Sequence, residues 1–127
     1  MRQPILNWLN PAPASMETAQ YWIEKLNLQP HPEGGYFAET FRSNNSISEE
    51  CLASNYSGPR NFYTSMYFLL KGDQFSSFHR LQSDEIWNFH QGCALTIFVI
   101  SENGELTENR LGNNFENGEH FQHLVPA

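Results

Sequence analysis

The chain has 127 residues, with 14 acidic side chains against 7 basic ones and a net charge of −7. The length sets one domain as the expectation, and the acidic excess excludes the basic face that a nucleic acid or an anionic membrane surface requires. Apolar residues at 39% are enough for a core, and aromatics at 14% favour sheets over a helical bundle.

The first fourteen residues read as an irregular arm punctuated by Pro4, Pro11 and Pro13. Their apolar run is too short for a signal peptide. No apolar run in the chain approaches the ~20 residues of a membrane helix, so no membrane contact and a cytoplasmic location are expected. Ser15 then offers a helix cap, with Glu17 in the first turn, where the helix dipole favours negative charge. Ala19, Trp22, Ile23 and Leu26 follow at i, i+3, i+4 and i+7, which gives one apolar face, and Pro30 and Pro32 are expected to end the helix.

Beyond the helix the period changes to two. Strands are expected over 36–42, 62–70, 74–81, 85–91, 95–100, 106–111 and 120–125. Gly34-Gly35 opens the first of them as a bend, because the strand–turn–helix context of a phosphate loop is missing. The polar stretch 43–60 reads as a long loop, and Asn103-Gly104 as a hairpin turn. Cys51 and Cys93, the only cysteines, match neither a disulfide framework nor a zinc ribbon. Short strands without intervening helices imply an antiparallel sandwich or barrel.

The stretches LQPHPEGGYFAETFRS (Leu28–Ser43) and TSMYFLLKGDQFSSFHRLQSDEIW (Thr64–Trp87), with the order Gly72, Glu85 and Gly92, resemble the cupin superfamily. Within it they resemble the small single-domain Cupin-5 family, whose biochemical role is largely unassigned. The resemblance runs from about Ala19 to Ala127. It implies an all-β, RmlC-like jelly-roll barrel with one N-terminal helix, commonly dimeric, with a ligand-sized pocket at its centre. The chain departs from the pattern at several points. The two metal-histidine positions of a cupin fall on Phe78 and Arg80, and only Glu85 is kept. Relatives read close to EIWHFYxG where this chain has EIWNFHQG. The chain stops at Ala127, inside the region of the second cupin motif, so the domain over 15–127 is expected to be incomplete at its C-terminus.

Four constellations are candidates for chemistry. The first is a metal centre, which needs three or four converging ligands. There is no His-x-His pair, and Glu85 and His90 fall on opposite strand faces, as do His120 and His123. The plainer reading is scattered histidines with no cofactor. A centre built from His79, Glu85 and a third residue is the alternative, and would make the protein a metal-dependent oxygenase. The second is metal-free acid–base work, with His79 as base, oriented by Asp84 or Glu85, and Tyr36, Tyr63 or Tyr67 as acid. Some cupins isomerise or epimerise sugars in this way. The third is HPEGGYFAETFR, where Glu33, Tyr36 and Glu39 would line one rim of a pocket. The fourth is the face shared by Glu85, Trp87 and Phe89, which with Arg80 would form an apolar wall carrying a few polar groups.

These readings converge on a cytoplasmic homodimer binding a small polar metabolite, sugar- or nucleotide-like, with isomerase or epimerase chemistry in view. His79, Glu85 and Tyr67 are the candidate catalytic residues. Glu33, Tyr36, Glu39, Arg80, Trp87 and Phe89 are the candidate ligand-binding residues. A binding module without catalysis is the non-enzymatic alternative.

Overall fold

The structure is a computed structural model that describes residues 17–127. The expected arm at 1–14 and the expected cap at Ser15 lie outside those residues. One helix, α1 (Ala19–Lys25), precedes ten short strands among the described residues. In chain order the strands are β1 (Gln29–Pro30), β2 (Tyr36–Arg42), β3 (Ser46–Ile47), β4 (Arg60–Asn61), β5 (Thr64–Leu69), β6 (Glu85–Asn88), β7 (Leu95–Ile100), β8 (Leu106–Leu111), β9 (Glu119–His120) and β10 (Gln122–Val125). Among the described residues they form four small sheets, ordered β1-β2-β5, β3-β4, β6-β10 and β7-β8-β9. The described chain divides into two compact units: the residues up to Phe41 with Ser65–Ser76, and Arg42–Thr64 with Ser77–Ala127.

In the first unit, Thr18 caps the helix. The Tyr21 backbone N–H donates to Thr18 Oγ1 at 3.2 Å, so Glu17 precedes the helix instead of lying in its first turn. Ala19, Trp22, Ile23 and Leu26 are half-buried, while Gln20, Tyr21, Glu24 and Lys25 are exposed, as the 3.6-residue period requires. The helix ends before the prolines act. Asn27 takes a left-handed φ of 50°, Leu28 N–H donates to Ile23 O at 2.9 Å, and Asn27 N–H to Glu24 O at 3.3 Å. This pair of bonds satisfies carbonyls that the last turn leaves open. Leu28, delivered by that turn, is 4% exposed.

The chain then turns between β1 and β2, with Pro30 opposite Tyr36. His31 N–H donates to Gly35 O at 2.9 Å, and His31 Nδ1 accepts from Glu33 N–H at 3.2 Å. Gly34 and Gly35 have φ of 112° and 77°. A Cβ on Gly34 would strike the Phe75 carbonyl, and one on Gly35 would lie 2.7 Å from Leu69 O. The glycines therefore serve close backbone approach as well as the bend. The His31 ring stands edge-on to Phe37 and Phe68, at 4.9 and 5.5 Å between centroids.

In the second unit, the polar stretch 43–60 carries more structure than its composition suggests. Ser46 pairs with Asn61 and Ile47 with Arg60, around a single 3-10 turn at Glu49–Cys51. The hairpin of β7 and β8 closes at Asn103-Gly104 as expected, in register from Leu95↔Leu111 to Ile100↔Leu106. Leu95, Ile97 and Val99 are half-buried, and Thr96, Phe98 and Ile100 are exposed, which is the alternation of a one-sided strand. Beyond it, Glu119 is 6% exposed. Its carboxylate accepts from Arg110 Nη2 at 3.4 Å and from Asn114 N–H at 2.8 Å. A Cβ on Gly112 would collide with that carboxylate.

Three expected strands differ. Residues 74–81 are irregular, 120–125 is broken at Phe121 into β9 and β10, and the strand over 85–91 ends already at Asn88. The first difference has a plain cause. Strand-prone residues become a strand only where a neighbouring backbone takes their N–H and C=O groups. No strand among the described residues pairs with 74–81, where Phe75 is 74% and Phe78 is 68% exposed.

Candidate functional site

The best-ordered part of the expected site lies on β6 and β10, within the second unit. The turn leading into β6 is fixed by side chains on three sides. Tyr56 OH and Ser83 Oγ are 2.9 Å apart, and Arg60 Nη2 donates to Gln82 Oε1 at 3.2 Å. Asp84 Oδ1 accepts from the Ala127 N–H at 2.9 Å. β6 and β10 are antiparallel, with Glu85 opposite Val125, Ile86 opposite Leu124, Trp87 opposite His123 and Asn88 opposite Gln122.

Residues two apart on a strand, and residues directly opposite on its neighbour, share a face. One face of this ribbon therefore carries Glu85, Trp87, His123 and Val125. The other carries Ile86, Asn88, Gln122 and Leu124. Trp87, His123 and Val125 are half-buried and Glu85 is exposed, whereas all four residues of the opposite face are exposed. On that exposed face Gln122 Nε2 donates to Asn88 Oδ1 at 2.8 Å, which locks the register from outside. On the inner face the Trp87 indole N–H donates to Glu85 Oε2 at 3.0 Å. The bond fixes the ring beside the carboxylate and is charge-assisted. Phe89, half-buried, continues the chain past β6 and donates its N–H to Phe121 O at 2.7 Å.

The other candidates of this unit lie on the irregular segment. His79 is exposed, and its Nδ1 lies 2.9 Å from Ser77 O. A carbonyl only accepts, so Nδ1 is the donor in this contact. Asp84, a candidate orienting group for His79, is engaged with Ala127 instead. Arg80 is exposed. In the first unit, Glu33 sits half-buried in the Gly-Gly turn and Tyr36 opens β2 with Lys71 Nζ 5.0 Å from its ring centroid. Glu39 is exposed on β2, and Tyr67 on β5 is 38% exposed.

The structure thus brings Glu85 and Trp87 together and adds His123, which the sequence reading leaves among scattered histidines. The signal that finds it is the pairing of β6 with β10, and neither strand encodes that by itself.

A family model described as the cupin superfamily (DUF985), Cupin_5, matches residues 20–127. The chain belongs to the Cupin_5 family. The uncharacterized protein YML079W of Saccharomyces cerevisiae is 31% identical over 123 residues, spanning 92% of this chain and 61% of the yeast protein. The crystal structure of protein SO0799 from Shewanella oneidensis is similar at 40% identity and a TM-score of 0.77. A hypothetical protein from Leishmania major is similar at 36% identity and the same TM-score. Each structural match covers 87% of this chain and 65% of the other. The chain therefore spans less than two thirds of the length of these relatives. Its strand-rich, mainly antiparallel architecture with one helix is that of the cupin fold.

Many cupins hold a metal, and the donors among the described residues of this Cupin_5 chain are not gathered for one. Phe78 and Arg80 stand at the histidine positions of the metal-binding motif. Among the described residues no group of three His, Cys, Asp or Glu side chains is placed to hold an ion. Nor is any helix among them long and apolar enough to cross a membrane.

Proposed function

We propose that this Cupin_5 domain, taken from residue 15 onward, binds a small polar metabolite, sugar- or nucleotide-like, against the inner face of β6 and β10. The observation that carries this reading is the Trp87–Glu85 hydrogen bond on a half-buried strand face. An indole offers a flat apolar surface, and the carboxylate beside it offers directional acceptors. That pairing of apolar wall and few polar groups is the usual make-up of a ligand site. Arg80 and Phe89 extend the site in the second unit, and Glu33, Tyr36 and Glu39 are separate candidate ligand groups of the first unit. Glu85 is the group on this face for metal-free isomerase or epimerase chemistry, its carboxylate taking a proton and returning it. The working form is a cytoplasmic homodimer.

The experiment is native mass spectrometry of freshly purified protein, followed by identification of released small molecules. A stoichiometric organic adduct is expected, weakened at least about tenfold by Glu85→Gln, a change worth about 1.4 kcal/mol or more. Affinity unchanged in Glu85→Gln, with the adduct retained, would remove the carboxylate from the site. An adduct that binds normally but is never turned over would leave the domain a binding module.

A further inference from the structure

We propose that His123, and not His79, is the imidazole that works beside Glu85, and that the face they share takes a neutral, polyhydroxylated ligand; this rests on the binding reading above.

The first support is register. His123 lies directly across the ribbon from Trp87, and Glu85 lies two residues from Trp87 on the same face. Glu85 and His123 are therefore a diagonal cross-strand pair. Such pairs have backbone positions roughly 7–8 Å apart, within reach of long side chains and suited to gripping one small group between them. Strand pairing fixes this placement along the whole ribbon, from Glu85↔Val125 to Asn88↔Gln122. A one-residue slip would send His123 to the opposite face.

The second support is the state of the five histidines. His31 Nδ1 accepts from Glu33 N–H within its own turn, and His79 Nδ1 is held by Ser77 O. His90 is exposed beyond the end of β6, and His120 is exposed on β9 with its ring edge-on to Phe115. His123 is half-buried, and no hydrogen bond among the described residues engages its ring. No buried side-chain polar atom among the described residues is unsatisfied, so the His123 ring nitrogens face water and are open to a ligand.

The ligand class follows from the donor and acceptor inventory. The Trp87 N–H is already given to Glu85. Glu85 as a carboxylate only accepts, and a neutral imidazole offers one donor and one acceptor. The face is therefore richer in acceptors than in donors. Its ligand must bring donors, and hydroxyl groups bring a donor and an acceptor each. An anionic group placed here would meet the Glu85 charge, and Arg80, the cation assigned to the site, lies on the segment before β6 and not on this face. The indole surface accommodates the C–H side of a ring or carbon chain. A neutral sugar or polyol satisfies all three groups at once.

The test titrates the full chain with neutral aldohexoses, namely glucose, galactose and mannose. Their 6-phosphates and ethanolamine serve as comparison probes. The readouts are the Trp87 indole 1H–15N signal and the ring signals of His79 and His123. A neutral hexose is expected to move the Trp87 and His123 signals saturably and together while His79 stays still. Its affinity should fall at least tenfold in His123→Ala, fall less in His123→Gln and change less than twofold in His79→Ala. Trp87 moving without His123, or a loss in His79→Ala matching that in His123→Ala, overturns the role of His123 and leaves the binding site standing. Binding by the 6-phosphates or ethanolamine alone overturns the neutral class. No Trp87 response to any probe or to a co-purified adduct overturns the binding reading itself. The wild-type ring signals keep the test decisive even where a His123 variant folds poorly.

Discussion

The ribbon of β6 and β10 and the segment 74–81 each carry a histidine beside aromatic residues, and both read as strands from composition. Only the ribbon is one. Its residues are paired across four positions, bolted on one side by Gln122 and Asn88 and joined on the other by Trp87 and Glu85. The segment 74–81 has no strand alongside it among the described residues, and His79 bonds to a carbonyl two residues back. Both regions read as strands from their residues, and the presence of a neighbouring backbone separates them. A side chain on the ribbon has a face assigned by register, which a chemical site needs. A side chain on the segment has only a local position.

Substitutions in the two regions should therefore differ sharply. Trp87→Ala removes a half-buried indole and its bond to Glu85, and should lower unfolding free energy by about 2–3 kcal/mol, below the range for a fully buried aromatic. Urea denaturation measures this, and a loss under about 1 kcal/mol would mean that the inner face is not packed. Glu119→Ala tests the second device that orders this part of the chain. It strips the carboxylate from Arg110 and from the Asn114 N–H, and should cost about 2 kcal/mol in the same experiment. Tyr56→Phe deletes the hydroxyl that meets Ser83 at the entry to β6, and should cost about 1 kcal/mol, with amide exchange faster at Ser83 to Glu85 than elsewhere. Phe78→Ala should change stability by no more than about 0.5 kcal/mol, because the ring is 68% exposed on an unpaired segment. A Phe78 effect as large as that of Trp87 would erase the distinction.

The sequence by itself determined what local periodicity can state. The apolar face of Ala19, Trp22, Ile23 and Leu26, the hairpin closed at Asn103-Gly104 and the strand over 36–42 all rest on neighbours within a few residues. The long matching stretches around HPEGG and SDEIW were enough to place the chain in its family. Strand alternation also set Glu85 and Trp87 on one side, because a period of two needs no partner to be read. Tertiary structure decided the rest. It stopped the helix with a backbone turn at Asn27 before either proline, denied 74–81 a strand, and gave the polar loop its short pairing of Ile47 with Arg60. Above all it carried His123 across to Trp87. Those two residues are far apart in the chain, and only long-range strand pairing, with a register that shifts every face when it slips by one, could set an imidazole beside that carboxylate.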